Sequence, residues 1–515
     1  MTPANGNAAA YFVDRHAVGE RSGAAAFVEG DRSLTYRALF ERAGGMAGLY
    51  DRCGLRPEDR AAMVVLDTID FPVIFWGSLK AGVAPVPLNT LLTAETYAAI
   101  LRDSGAKALF VSKELLPILA PAIAQAPALR AVFCVGGEAE RCLSFEAELA
   151  RGAATPTIEV SPDQCAFWLY SSGSTGKPKG VRHVHSSLKA TADCYGAQVL
   201  GLRTEDIVFS AAKLFFAYGL GNAMTFPMAV GATTILNPAR PTPDAVLQTI
   251  ARSRPTVYCG VPTLYAAMLA RMEGAPPAGF DRLRVCVSAG EALPAEIGRR
   301  WTELTGVEIL DGVGSTEMLH IYVSNRLGAV AYGASGVPVP GYAVRLVDER
   351  GRDVEGEEIG EMLVNGPSAA EGYWNQREKS RSTFEGQWTR TGDKYLRRPD
   401  GRYVYCGRTD DMFKVGGIWV SPFEVEQALI THPDVFEAAV VAERDEDGLE
   451  KPVAFIVVKG EPDRRALIPA LKQHVKDRVG TWKYPRRIEI VDELPKTATG
   501  KVQRFKLRRP DGDRP

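Results

Sequence analysis

No charge of one sign dominates this chain. Its 61 Lys+Arg stand against 62 Asp+Glu, a net charge of -1, so the whole molecule offers no basic field to hold nucleic acid or an anionic membrane. Paired cysteine motifs are also lacking. Cys53, Cys134, Cys142, Cys165, Cys194, Cys259, Cys286 and Cys406 form no CxxC and have no histidine at ligand spacing, which argues against a disulfide frame or zinc site and predicts reduced thiols. The amino terminus, MTPANGNAAAYFVDRH, has neither the basic start nor the apolar run of a signal peptide. The most apolar long stretch, Phe71 to Leu88, is broken by Lys80, Pro85 and Pro87 and predicts a buried helix-turn-strand, not a membrane span. A cytoplasmic protein is expected, with no membrane and no nucleic acid among its partners.

What is present is the composition of a soluble globular chain. With 515 residues, 46% hydrophobic and 24% charged, more than one packing unit is expected. The middle repeats one arrangement of β-branched run, glycine-containing turn and helical pattern. Thr256–Gly260 leads into a helix from Val261, and Leu283–Ser288 leads through Ala289, Gly290 and Glu291 into a helix from Pro294. Val307–Leu310 runs into a turn over Asp311–Glu317. Such alternation predicts an α/β fold with a mostly parallel sheet covered on both faces, and it puts these turns at one sheet edge.

From about Gly336, short strands punctuated by Pro and Gly predict a β subdomain over about 336–405. After Gly407–Asp411 the pattern changes to a small α+β domain. Ser421-Pro-Phe-Glu424 is a capping box opening a helix that stops before His432-Pro433. Two strands (Val435–Val441, Val453–Val458), a helix (Arg465–Val479) and a third strand (Arg487–Val491) are expected to follow.

The strongest chemical signal is Tyr170-Ser-Ser-Gly-Ser-Thr-Gly-Lys-Pro-Lys-Gly180, directly after the apolar run Ala166–Tyr170. Small residues expose backbone N–H groups in a concave loop, hydroxyls add donors, and Lys177 and Lys179 add positive charge; together these suit a polyphosphate. A Walker A loop would need Gly at 171 and Ser or Thr at 178, where Ser171 and Pro178 stand. Ser174-Thr-Gly-Lys177 matches S-x-x-K, but Gly176 and Pro178 oppose the helix which that motif requires. A Ser/Lys amidohydrolase stays open as a minor reading.

Ser171–Gly180 resembles the phosphate-binding signature of the adenylate-forming superfamily. Four further segments match in that family's order: Asp311-Gly-Val-Gly-Ser-Thr-Glu317, Thr391-Gly-Asp393, Gly407-Arg-Thr-Asp-Asp411 and Pro495-Lys-Thr-Ala-Thr-Gly-Lys501. The resemblance implies a large adenylation domain over 1–409 and a mobile C-terminal lid over 410–515, hinged at Asp410. It also implies activation of a carboxylate by ATP and transfer of the acyl group to coenzyme A. By that resemblance ATP is bound by Ser171, Ser172, Gly173, Ser174, Thr175, Gly176 and Lys177, with Asp311, Gly312 and Val313 along the adenine and Asp393 and Arg408 on the ribose. Thr316 meets the α-phosphate, Glu317 holds Mg²⁺, and Lys501 bridges carboxylate and phosphate oxygens. Gly416 and Gly417 admit the pantetheine arm of coenzyme A.

Lys213–Asn222 combines aromatic walls with small residues and suits a flat, mostly apolar ligand. Together with Ser288–Glu291 and Ser315–Ile321 it is similar to the benzoate-CoA ligase branch. That similarity implies an aryl pocket lined by Ala217, Tyr218, Gly290, His320 and Ile321, and benzoate or a hydroxybenzoate as substrate. A carrier-loading adenylation enzyme and a luciferase are the rival members of the superfamily.

Overall fold

The computed structural model describes residues 5–172, 178–272, 274–415, 418–445, 449–496 and 502–508. Two compact units emerge, one built from the chain up to Val344 together with Val364–Arg390, the other from Arg345–Leu363 and the chain from Thr391 onward. The chain passes between them within the strands Ala343–Val347, Gly360–Asn365 and Trp388–Arg397.

The first unit carries the predicted parallel sheet. Its nine strands run in the order Val337–Pro338, Ile321–Ser324, Ile309–Gly314, Val285–Ser288, Val257–Gly260, Ile207–Ser210, Thr233–Leu236, Ala25–Glu29, Arg32–Thr35. The strands from Ile309–Gly314 to Ala25–Glu29 are mutually parallel, with antiparallel partners at both ends. Helices Pro262–Arg271 and Ala295–Thr305 pack on it through Tyr265, Met268 and Trp301. A second, parallel sheet joins Ala84–Pro87, Arg60–Val64, Ala108–Ser112, Ala131–Val135 and Leu143–Ser144. The apolar stretch from Phe71 is a helix over Asp70–Lys80 followed by the strand Ala84–Pro87, as its breakers predict. Lys80 is buried at that helix end, and its ammonium is satisfied by Asp14 at 2.5 Å and the Thr157 hydroxyl at 2.6 Å. Such pairing is what permits an interior lysine.

One expectation is corrected at the active edge. Asp311, Gly312 and Val313 are not in a turn beyond a strand; they lie inside the strand Ile309–Gly314. The chain reverses after Gly314, and Ile321–Ser324 pairs back onto Gly312–Gly314, so the ladder extends past the point where the parallel partner ends. A Cβ on Gly314 would sit 2.5 Å from the His320 carbonyl oxygen, so only glycine permits this reversal.

In the second unit, Val435–Arg444 pairs antiparallel with Glu450–Val458, and Arg487–Ile490 adds in parallel. Helices Pro422–Ile430 and Arg464–Val479 cover this sheet through Val425, Leu429, Leu467 and Leu471. Ser421 caps the first helix, accepting from the Glu424 amide at 3.1 Å. Asp393 sits in the long strand Trp388–Arg397 opposite Arg408. No helix among the described residues is long and apolar enough to cross a membrane.

Candidate active site

The glycine- and serine-rich loop begins and ends on one hairpin. Its arms, Cys165–Ser172 and Pro178–Val184, pair antiparallel with Ser171 opposite Lys179 and Ser172 opposite Pro178. Gly173, Ser174, Thr175, Gly176 and Lys177 lie outside the described residues. Tyr373 belongs to the strand Gly372–Tyr373, which adds to the same hairpin. The Lys179 ammonium stands 5.3 Å from the Tyr373 ring centre, and the Tyr373 hydroxyl donates to Oε1 of Glu317 at 2.8 Å. The loop's downstream arm is thereby connected to the proposed cation ligand.

Residues 315–320 form a tight turn that carries two sets of predicted residues. The Thr316 carbonyl accepts from the Leu319 amide at 3.1 Å, and the Met318 amide bonds to the Ser315 hydroxyl at 3.2 Å. Leu319 sits at φ +64, a left-handed conformation that costs about 1–3 kcal/mol for a side-chain-bearing residue. Outside contacts hold it there. The Ala370 amide donates to the Glu317 carbonyl at 2.8 Å, and the Ser368 hydroxyl to the Met318 carbonyl at 2.7 Å. His183 Nε2 lies 2.9 Å from the Thr316 carbonyl. Thr316 and Glu317 are half-buried, whereas His320 and Ile321 are buried, so one short turn serves both a solvent-facing and an interior surface.

That interior surface is aromatic. The His320 ring lies 4.5 Å from Phe226, 4.9 Å from Tyr195 and 5.8 Å, stacked, from Tyr218. Burial pushes the His320 pKa down to about 3, against a smaller opposing effect of the Tyr218 backbone, so the imidazole is neutral. Neither ring nitrogen has a hydrogen-bond partner of good geometry among the described residues. Tyr218 differs. Its hydroxyl lies 3.1 Å from both the Gly260 and Val287 carbonyls, so its proton is spent on the ends of two sheet strands. Ala217 begins the same short helix, Ala217–Leu220, and a Cβ on the following Gly221 would meet the His320 ring at 2.5 Å. Gly290 is exposed, at φ +95, just past the strand Val285–Ser288.

Asp311 is buried beside this group. Burial raises its carboxyl pKa well above the usual range, with the Leu293 and Gly312 amides opposing. Its carbonyl accepts from the amide and the side chain of Asn325, at 2.9 and 3.2 Å. Ser171, Thr316, Glu317, Asp311, Gly312, Val313, Ala217, Tyr218, Gly290, His320 and Ile321 therefore all belong to the first unit.

Asp393, Arg408 and Asp410 belong to the second. Arg408 donates to Asp393 at 2.9 Å and to the Thr391 carbonyl at 3.2 Å, and the Thr391 hydroxyl donates to the Met362 carbonyl at 2.8 Å. Asp410 is exposed. Gly416, Gly417 and Lys501 lie outside the described residues. On either side of 497–501 the chain is anchored: Lys496 bridges Val502, the Gln503 amide donates to the Pro495 carbonyl at 2.7 Å, and Arg504 forks onto buried Glu426 at 3.0 and 2.7 Å. Among the described residues no cluster of three or more His, Cys, Asp or Glu could hold a metal by itself. A cation at Glu317 would share one carboxylate with substrate phosphate oxygens, the donor set that suits Mg²⁺.

His183, Ser368 and Tyr373 were not singled out from the sequence. Their contacts with the turn span 133, 50 and 56 residues, and no local spacing signals them.

Residues 13–374 match the AMP-binding enzyme family, and residues 424–501 match the AMP-binding enzyme C-terminal domain. A 4-hydroxybenzoate-CoA/benzoate-CoA ligase from Rhodopseudomonas palustris is 53% identical over 508 residues, covering 98% of this chain and 94% of the relative. The crystal structure of a benzoate CoA ligase from Burkholderia xenovorans LB400 superposes with a TM-score of 0.90 at 49% identity, over 98% of this chain and all of that one. An anthranilate CoA ligase in complex with anthranoyl-AMP gives 0.93 at 42% identity, over 98% and 97% of the two chains. With both of its domains matched in order and half of its residues shared with an aryl-CoA ligase, this chain belongs to the AMP-binding enzyme family.

Proposed function

We propose that this protein is an ATP-dependent aryl-CoA ligase acting on benzoate or a hydroxybenzoate. The observation that carries the reading is the 315–320 turn, in which Thr316 and Glu317 bond to His183 and Tyr373 of the phosphate-loop sheet while His320 lies among the rings of Tyr195, Tyr218 and Phe226. An aromatic carboxylate bound against those rings would lie next to nucleotide phosphates.

A carboxylate is a poor electrophile, so it needs a leaving group before a thiol can attack it. Its oxygen attacks the α-phosphorus of ATP, the bond to the β-phosphate oxygen breaks, and pyrophosphate departs, leaving an aryl adenylate. The coenzyme A thiol then attacks the carbonyl carbon, loses its proton and expels AMP. Charge spread over the α-phosphate oxygens is the catalytic problem, and fixed donors and cations are the remedy. Mg²⁺, when bound, neutralises phosphate charge. In this reading Glu317 holds that ion, Thr316 donates to the α-phosphate, and Lys501 adds an ammonium between carboxylate and phosphate. Ser171, Ser172, Gly173, Ser174, Thr175, Gly176 and Lys177 cradle the remaining phosphates, Asp311, Gly312 and Val313 line the adenine, and Asp393 and Arg408 grip the ribose. Ala217, Tyr218, Gly290, His320 and Ile321 enclose the ring.

The lid extends over 410–515, with Asp410 as hinge and Gly416 and Gly417 beside the pantetheine arm. We place the enzyme in the cytoplasm, where eight free cysteines stay reduced. No observation favours carrier loading or amide hydrolysis over this reading. The test is benzoate-dependent pyrophosphate release with and without coenzyme A, followed by detection of the thioester. Pyrophosphate with benzoyl-CoA is expected; pyrophosphate without thioester would overturn the assigned acceptor, and amide cleavage without ATP the whole reading.

A further inference from the structure

The strand that follows the phosphate loop contains a histidine which the mechanism above does not use. His183 is fully buried, its ring stacked on Phe167 with centres 5.2 Å apart and planes 19° from parallel. Nε2 lies 2.9 Å from the Thr316 carbonyl, and Nδ1 has no partner among the described residues. Burial lowers its pKa to about 4, the Thr316 contact opposing, so the ring is neutral and carries a single N–H. A carbonyl oxygen only accepts, which assigns that hydrogen to Nε2.

Thr316 therefore receives two donors on one oxygen. The Leu319 amide comes from inside the strained turn; His183 comes from outside, five residues after the last described anchor of the loop, Pro178. No other described side chain bonds to the Thr316 backbone. The contact ties the frame of the phosphate loop to the segment bearing the phosphate and cation ligands.

We propose that His183 is a positioning residue for adenylation: by donating from Nε2 to the Thr316 carbonyl, it sets where Thr316 and Glu317 stand relative to the hairpin strands that flank the phosphate loop. This rests on the roles proposed above for Thr316 and Glu317. Positioning errors of about 1 Å can lower a rate on the order of a hundredfold without removing any reacting group, so the effect falls on kcat for adenylation and on MgATP, not on folding alone.

The test uses the full-length enzyme and three substitutions. His183→Phe keeps the ring on Phe167 and deletes the donor; His183→Gln restores an N–H where Nε2 stands; His183→Asn restores one only where Nδ1 stands. Pyrophosphate release with benzoate and MgATP reads adenylation, and benzoyl-CoA formation from supplied benzoyl adenylate reads the second half-reaction. His183→Phe is expected to lower adenylation about tenfold to a hundredfold and raise the MgATP KM, with less than about a threefold change in thioester formation. His183→Gln should recover most of the loss and His183→Asn little of it. Equal loss in both half-reactions, equal activity of the Gln and Asn variants, or wild-type adenylation in His183→Phe would each overturn the proposal. If His183→Phe does not fold, the Gln and Asn pair makes the same comparison. Thr316→Val separates the two levels: adenylation unaffected by that change removes the assigned role of Thr316 itself, whereas loss there with none in His183→Phe removes only the strut.

Discussion

The Tyr373 hydroxyl donates to Oε1 of Glu317 across 2.8 Å, binding a strand that extends the phosphate-loop hairpin to the carboxylate assigned to the metal. A carboxylate with one oxygen held this way presents the other in a fixed direction. Tyr373→Phe removes that restraint without changing charge. The half-saturating Mg²⁺ concentration for pyrophosphate release should rise about threefold to tenfold, the effect of one hydrogen bond of about 1 kcal/mol net, while the benzoate KM stays within twofold. A benzoate KM that moved as far as the Mg²⁺ dependence would show that the hydroxyl supports the pocket and not the cation.

Lys501→Ala should reduce adenylation on the order of 10²- to 10³-fold, the usual effect of losing one group that stabilises transition-state charge. Thioester formation from supplied benzoyl adenylate should be spared. Measuring both half-reactions on one preparation checks this, because equal losses would mean that the lysine is structural.

Tyr218 and His320, both proposed to line the aryl pocket, have different polar capacity left. The Tyr218 hydroxyl is committed to the Gly260 and Val287 carbonyls, whereas neither His320 nitrogen has a hydrogen-bond partner of good geometry among the described residues. Tyr218→Phe is therefore expected to cost about 1 kcal/mol of stability and to leave the benzoate to 4-hydroxybenzoate ratio of kcat/KM within twofold. His320→Phe should change that ratio by about tenfold against the hydroxylated acid, because a substrate hydroxyl loses the imidazole as a hydrogen-bond partner. The opposite ranking of the two variants would exchange the roles assigned to them.

His185 offers a test of acid sensitivity. Its Nδ1 accepts from the Ala8 amide at 3.1 Å, anchoring the first helix, Ala8–Phe12, and burial lowers its pKa to about 4. The unfolded chain binds this proton below about pH 6.5 and the folded one only below about 4, so the stabilisation is lost as pH falls through that interval. His185→Asn keeps an acceptor near the Nδ1 position and cannot take up the proton. Between pH 7 and pH 5 the variant should lose about 2 kcal/mol less stability than the parent by denaturant titration; parallel pH profiles would contradict the assignment.

Much of the architecture is legible in the sequence because its signals are local. The Ser421 capping box, the breakers in Phe71–Leu88 and the β-branched runs before Gly260 and Ala289 each report chemistry within one turn or strand, and the helices and strands appear where they predict. Asp311 was misplaced because its strand is prolonged by a partner, Ile321–Ser324, whose pairing depends on a chain reversal at Gly314. Motif order likewise pointed to ATP, an aromatic acid and a thiol. It did not distinguish Tyr218 from His320 as a polar group, since that depends on which carbonyls happen to lie within reach of a hydroxyl.

By itself, then, the sequence determined the succession of elements, the chemical class of the loops and the family to which the chain belongs. Tertiary structure alone decided which partners hold those loops: His183 on Thr316, Tyr373 on Glu317, Ser368 on Met318 and Arg504 on Glu426. The physical reason is range. Propensity, capping and periodicity act over a few residues and leave their mark in the local pattern, whereas a hydrogen bond between distant segments exists only after the core has packed and brought donor and acceptor to within about 3 Å.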